Sequence, residues 1–125
     1  MKIKNNDLMV ATKFLSRINN EDHGIRFAFK TNTIISSVNK AVEIIEKLRK
    51  DIAEKHAAKN DAGEPILLGD MKQYVQLTKE GTQKLEDLLA LESDIDIEQY
   101  TMDELEANAI KIKPVEIPYL KWLIK

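Results

Sequence analysis

The chain has 125 residues, 43% hydrophobic and 32% charged, which is the size and composition of one soluble globular domain. It contains no cysteine, which removes disulfide scaffolds, thiolate nucleophiles and thiolate metal sites together. The net charge is −2, and the longest uncharged run, Thr31 to Asn39, holds Asn, Ser and Thr and falls far short of the roughly 20 apolar residues of a membrane span.

The small net charge hides a division. Residues 1–60 carry twelve Lys or Arg against seven acids, +5, and residues 61–125 carry seven Lys against fourteen acids, −7. From Glu80 to Glu106 there are ten acids and a single base, Lys84, which makes a segment of net −9. Two halves so unlike in charge are expected to attract each other within one fold or across an oligomer.

In chain order, "KIKN" reads as a short strand. It is followed by a helix with Asn6 as its N-cap and Leu8, Ala11, Leu15 and Ile18 as its apolar stripe. Lys2 and Lys4 are followed by Asn5, Asn6 and Asp7, not by an apolar signal core, so the expected compartment is the cytosol. Gly24 closes the loop "NNEDHG". "IRFAFK" alternates as a short strand would, with Ile25, Phe27 and Phe29 on one side.

A long central helix over about 31–58 is the clearest element. Ile34, Val38, Ala41, Ile45, Leu48 and Ile52 step by four and three residues in turn, a heptad seam held for three repeats. β-Branched residues at Val38, Ile45 and Ile52 suit a parallel two-stranded pairing, so Val38, Ile45, Leu48 and Ile52 are the expected interface of a homodimer or higher oligomer. Ile35, Val42 and Ile44 widen the apolar face beyond a seam and point to packing within the chain as well.

After the turn "NDAG", with Gly63 in a left-handed conformation, Pro65 to Leu68 and Met71 to Leu77 read as a hairpin joined at Gly69-Asp70. Thr78 caps a third helix over about 79–92, whose stripe is Leu85, Leu88 and Leu89; Gly81 weakens its first turn by about 1 kcal/mol relative to Ala. In "DIDIE" a period of two puts Asp94, Asp96 and Glu98 on one side of a strand, with Ile95 and Ile97 on the other. "TMDELE" has the Thr101 to Glu104 spacing of a capping box. "IKIKPVEIPYLKWLIK" offers a short strand and a final helical turn or two, with Pro114 and Pro118 limiting where that helix begins. The expected class is therefore α+β and mainly helical, with small antiparallel β elements, in a single domain over 1–125.

No spacing in this chain specifies catalysis. His23 and His56 have no partner at metal-binding spacing, no serine sits in a nucleophile elbow, and the four glycines do not cluster into a phosphate-cradling loop. A calcium loop starting at Asp94 needs Gly at its sixth position, where Gln99 stands. The bases of the central helix alternate with acids at intrahelical pairing distance, which argues against direct nucleic-acid binding. The expectation is a protein that is not an enzyme and needs no cofactor or metal.

The order of "MKIKNNDLMVATKFLSRI", a long helix ending "EKHAAKNDAGEPIL", and "LEDLLALESDIDIEQYTMDELEANAIKIKPVEIPYLKWLI" resembles a family of small proteins encoded by tailed phages and prophages of Gram-positive bacteria. The family brings no established activity, so no catalytic residue carries over. What the resemblance implies is an accessory phage protein made in the host cytoplasm. Two roles compete. One is inhibition of host defence or host machinery by binding. A protein target would meet the acidic row Asp94, Asp96 and Glu98; a sequestered nucleotide signal would need Arg17, Arg26, Phe27 and Lys30 gathered at a subunit junction. The other is a structural or assembly role in the virion.

Overall fold

The first helix, α1 (Asn5–Asn19), forms where apolar residues recur at helical spacing, and it buries all four stripe residues, Leu8, Ala11, Leu15 and Ile18, together with Phe14. We describe residues 1–71 and 74–125 from a computed structural model. The helix begins one residue before the expected cap: Asn5 is inside it and Lys4 flanks it without a side-chain cap. Asn5 has a different task. It is buried, its amide donates to the Leu88 carbonyl at 2.8 Å, and its carbonyl oxygen accepts from the Ser93 hydroxyl at 2.6 Å.

The strand expected at "IRFAFK" is the first two turns of α2, which runs unbroken over Ile25–Lys55, where about 31–58 was expected. Extending an existing helix by a turn is far cheaper than nucleating a separate element, and Gly24 supplies the carbonyl that accepts from Ala28 at 3.0 Å. Helical geometry then separates residues that a strand would have aligned. Phe27 is 4% exposed, edge-on to His23 and stacked on Tyr100 with ring centroids 5.2 Å apart, while Ile25 and Phe29 share the opposite, open face.

The heptad seam of α2 is covered by its own chain. Ile34, Val38 and Ile45 are buried against α1 and α3 (Lys79–Ala90), with Ala41 and Ile52 half-buried at the margin. Val38 and Ile45 thus have no surface to give a second copy, which corrects their expected place in an oligomer interface. Short helices close over the seam because a two-helix hairpin alone would leave it wet. Of the four expected interface residues only Leu48 is substantially open, at 43%, beside the more exposed Ile44.

The close packing of α3 on α2 explains Gly81. A Cβ there would lie 2.5 Å from the Cβ of His56, so the helix-weakening residue is the one that lets the two elements meet. Thr78 caps α3 as expected, its hydroxyl accepting from the Gly81 N–H at 3.2 Å. Between the two helices lies a small hairpin, β2 (Leu67–Leu68) and β3 (Tyr74–Val75), antiparallel with Leu67 opposite Val75 and Leu68 opposite Tyr74. Lys72 and Gln73 of the expected second strand lie outside the described residues. Ala58, Ile66 and Gln76 exchange three backbone hydrogen bonds in a ring, which ties the hairpin to the end of α2. Gly63 has the expected left-handed φ of 78°.

A second antiparallel pair joins the chain's beginning to its acidic segment. β1 (Lys2–Lys4) lies against β4 (Glu92–Asp94) with Lys2 opposite Asp94, Ile3 opposite Ser93 and Lys4 opposite Glu92. Opposite charges face each other across this pair, so part of the charge division is satisfied inside the molecule. The strand expected through "DIDIE" stops at Asp94, where the register with β1 ends. α4 (Met102–Ala107) carries the expected capping box, with the Glu104 N–H donating to the Thr101 hydroxyl at 3.1 Å and the Thr101 N–H to the Glu104 carboxylate at 2.8 Å. The strand expected at "IKIK" is absent; residues 110–113 run on to a 3-10 turn at Pro114–Glu116, then α5 (Ile117–Leu120) and a last 3-10 turn, Lys121–Leu123.

Because Ile45 is 1% exposed and Leu48 is at the surface, the two seam residues respond differently to charge. Ile45→Asp lowers unfolding stability by at least about 4 kcal/mol and Leu48→Asp by under about 1 kcal/mol. Urea denaturation followed by circular dichroism measures both; equal effects would mean that the seam is not closed within the chain.

Candidate interaction surface

Beyond β4 the backbone stays extended and keeps the alternation of the sequence. Ile95 is buried and Ile97 half-buried, while Asp94, Asp96 and Glu98 face solvent. The Ile95 N–H donates to the Met1 carbonyl at 2.8 Å, which holds the segment in place where the ladder ends. The carboxylates are lightly paired. Asp94 receives the Met1 ammonium at 3.3 Å and stays 74% exposed, Glu98 lies 3.8 Å from Lys30 and is 86% exposed, and Asp96 has no cationic partner among the described residues. Ion pairs this open and this long contribute little, so the row keeps its negative field.

What fixes the row against α2 is Tyr100. Its ring is fully buried on Phe27, its hydroxyl shares a 2.6 Å hydrogen bond with the buried Thr31 hydroxyl, and the Lys30 ammonium lies 5.7 Å from its centroid. Its N–H donates to the Leu123 carbonyl at 2.9 Å and its carbonyl accepts from the Lys125 N–H at 2.7 Å, pinning the C-terminal turns. Burial pushes the Tyr100 phenol up to about 12, against the opposing hydrogen bond from Thr31, so it stays protonated throughout the neutral range. Lys30 donates twice to Glu104, at 2.8 and 3.1 Å. Burial pushes the Glu104 carboxyl up, but the hydrogen bond from Lys30, the Thr101 N–H and the Lys30 charge outweigh it and leave the group below its ordinary value.

Between α2 and this segment lies a groove of about 260 Å³ lined by Phe29, Lys30, Thr33, Ile34, Ile97 and Glu98. A hollow of about 300 Å³ lies on the other side of Phe29, among Ala28, Asn32, Thr33 and Ser36. Phe29 itself is 75% exposed and stands between the two. The arrangement is an apolar anchor with a recess on each side, one of them edged by Glu98, the last carboxylate of the row. An interface core of this kind, rimmed by charge, is what protein partners recognise.

The residues expected to gather around a nucleotide do not come together. Phe27 is in the core, Lys30 is bound to Glu104, Arg26 is exposed on the first turn of α2, and Arg17 is committed elsewhere. The Arg17 guanidinium forms two hydrogen bonds to the buried Glu116 carboxylate, at 2.8 and 3.1 Å, and a third to the Lys111 carbonyl at 3.2 Å. Arg17 thereby holds Glu116 below the usual carboxylate range, against the penalty of burial, with the Lys113 N–H adding a further bond at 3.0 Å. His23 is likewise structural, one ring nitrogen lying 3.0 Å from the Ile18 carbonyl. No three or more His, Asp or Glu among the described residues are grouped so as to hold a metal ion.

Sequence reading missed Phe29 as an exposed anchor, and Tyr100, Thr31 and Glu116 as buried polar positions. One signal was present for Phe29: treated as helix, "IRFAFK" separates Phe27 and Phe29 by 200°. Nothing local distinguishes Glu116 from its exposed neighbours, since its partner is 99 residues away.

The Glu116 carboxyl titrates lower in the folded than in the unfolded chain, so the stability it contributes is complete above the ordinary value of about 4.3 and is lost as pH falls through the lowered value. Arg17→Met strands that carboxylate and costs about 3 kcal/mol at pH 7. The cost shrinks as pH falls below about 4, where Glu116 takes a proton; denaturant titrations at pH 7 and pH 3 test this, and a pH-independent loss contradicts it.

Comparisons with protein-family models, with characterised proteins and with solved structures find no match to this chain.

Proposed function

We propose that this chain is a phage-encoded accessory protein that acts inside the host cell by binding, without catalysis, and blocks a host protein through the face formed by Phe29 and the row Asp94, Asp96 and Glu98. The supporting observation is the juxtaposition itself. A phenylalanine held 75% exposed between two recesses is costly to keep in water, and Glu98 at one recess, with the exposed Asp96 and Asp94 preceding it along the segment, offers carboxylates to Lys or Arg on a partner. Carboxylates spaced along an extended segment also resemble a run of phosphates, so a host protein that handles nucleic acid offers a complementary surface. No helix of the described residues is long and apolar enough to cross a membrane.

A structural role in the virion is the second reading, and the hairpin favours it. Leu67, Leu68, Tyr74 and Val75 are all exposed on a two-stranded unit with open edges, which suits incorporation into a larger assembly. Purified particles separate the two readings: stoichiometric copies of the chain in the virion support assembly, and its absence there supports the inhibitor.

The test of the inhibitor begins with a tagged chain expressed in the host. A captured protein is identified, purified and returned to the chain for a direct Kd measurement. Phe29→Ala and the triple variant Asp94→Lys/Asp96→Lys/Glu98→Lys each weaken binding by at least about tenfold. A Kd unchanged in both variants would rule out this face.

A further inference from the structure

A cleft of about 660 Å³ opens between the last turn of α1 and the chain that follows α4, with Arg17 and Glu21 on one side and Lys111, Ile112, Lys113 and Pro114 on the other. It shares no residue with the face carrying Phe29 and the acidic row, and it has the opposite charge. Its floor is organised by the Arg17–Glu116 pair. Glu116 is buried and its carboxylate accepts three hydrogen bonds, two from the terminal nitrogens of Arg17 and one from the Lys113 N–H. Arg17 keeps its Nε–H and one Nη1–H without an acceptor among the described residues.

Lys111 and Lys113 add two more cations. Both line the cleft and are exposed, with the half-buried Ile112 between them in sequence. Neither has a carboxylate at ion-pair distance among the described residues. The charges of Arg17, Lys111 and Lys113 exceed those of Glu21 and Glu116 by one. This is a pre-oriented guanidinium with unused donors, flanked by two mobile point charges, the combination that captures tetrahedral oxyanions. The volume lies in the range of small-molecule sites, about 300–1,000 Å³, and Ile112 and Pro114 supply an apolar wall.

We infer that this cleft binds a phosphate group carried on a small organic ligand of nucleotide size, with Arg17, Lys111 and Lys113 on the phosphate and the organic part against Ile112 and Pro114. The site is independent of the protein-binding face, so either can fail without the other.

The test is a nuclear magnetic resonance titration of the full chain at low ionic strength with inorganic phosphate, AMP and adenosine. The inference predicts saturable shifts at the Arg17 Nε–H and at the backbone amides of residues 109–113 with phosphate and with AMP, tighter for AMP, and none with adenosine. Lys111→Glu/Lys113→Glu weakens AMP binding by at least about 20-fold, through loss of two attractive charges and gain of two repulsive ones. Lys111→Gln/Lys113→Gln, which introduces no repulsion, weakens it less and guards against a folding defect, which circular dichroism detects. Absence of saturable shifts with both phosphate and AMP overturns the site. Equal binding of phosphate and AMP overturns the nucleotide-sized ligand, and wild-type affinity in the double variants overturns the assignment of the lysines.

Discussion

The structure depends on burying one tyrosine hydroxyl. Tyr100 is the largest of the fully buried side chains, and a phenol in an apolar core costs about 1–3 kcal/mol unless its hydrogen-bonding capacity is met. Thr31 meets it, from a position on α2 where a valine of the same shape would leave the phenol without a partner. Stacking on Phe27 adds about 0.5–1.5 kcal/mol and fixes the ring plane. Because the Tyr100 backbone also binds Leu123 and Lys125, this residue joins the start of the long helix, the acidic segment, the cap of α4 and the C-terminal turns. The polar bond makes the contact specific to one register, since shifting the extended segment by one residue would place Gln99 or Thr101 against Phe27.

The same contact explains how an acidic row is kept beside an exposed aromatic residue. Helix geometry turns Phe27 inward and Phe29 outward, and Tyr100 grips the first, so the second is presented at a constant height above the segment that carries Asp96 and Glu98. Lys30, the residue after Phe29, makes its short contact with Glu104 at 2.8 Å and only a long one, 3.8 Å, with Glu98 at the end of the row. Among the described residues the positive half of the chain meets the negative half at a few points: Lys2 and Lys4 opposite Asp94 and Glu92 across the β1–β4 pair, the Met1 ammonium at Asp94, Lys30 at Glu104 and more distantly at Glu98, and Arg17 at Glu116. The middle of the row keeps its charge for solvent or a partner.

What the sequence makes legible follows from the range of the interactions involved. Local, periodic features were readable: the α1 stripe, the seam of α2, the Thr78 and Thr101 caps, the left-handed Gly63 and the burial alternation of Ile95 and Ile97 all depend on neighbours within a few residues. The seam's partner was not readable, because a heptad pattern is the same whether a second copy or the chain's own α1 and α3 cover it. "IRFAFK" was misread because six residues that alternate on paper are absorbed into a helix once the following four turns are helical. The candidate surface was half legible. Its carboxylates stand where spacing put them and Phe29 turns outward once "IRFAFK" is treated as helix, whereas the place of Phe29 beside Ile97 and the Arg17–Glu116 pair need contacts 68 and 99 positions apart, for which a single sequence holds no signal.

The central claim, that Tyr100 locks the segment from the acidic row to the C-terminus onto α2, has a direct readout in native-state hydrogen exchange. The amides of Tyr100 and Lys125, which flank the buried ring in the hydrogen-bond network, should exchange only through global unfolding, with the same denaturant dependence as the amides at the centre of α2. The Gln76 amide of the exposed hairpin should open locally and much faster. If Tyr100 and Lys125 exchange at the hairpin's rate while the centre of α2 stays protected, the segment is not locked and the account is wrong.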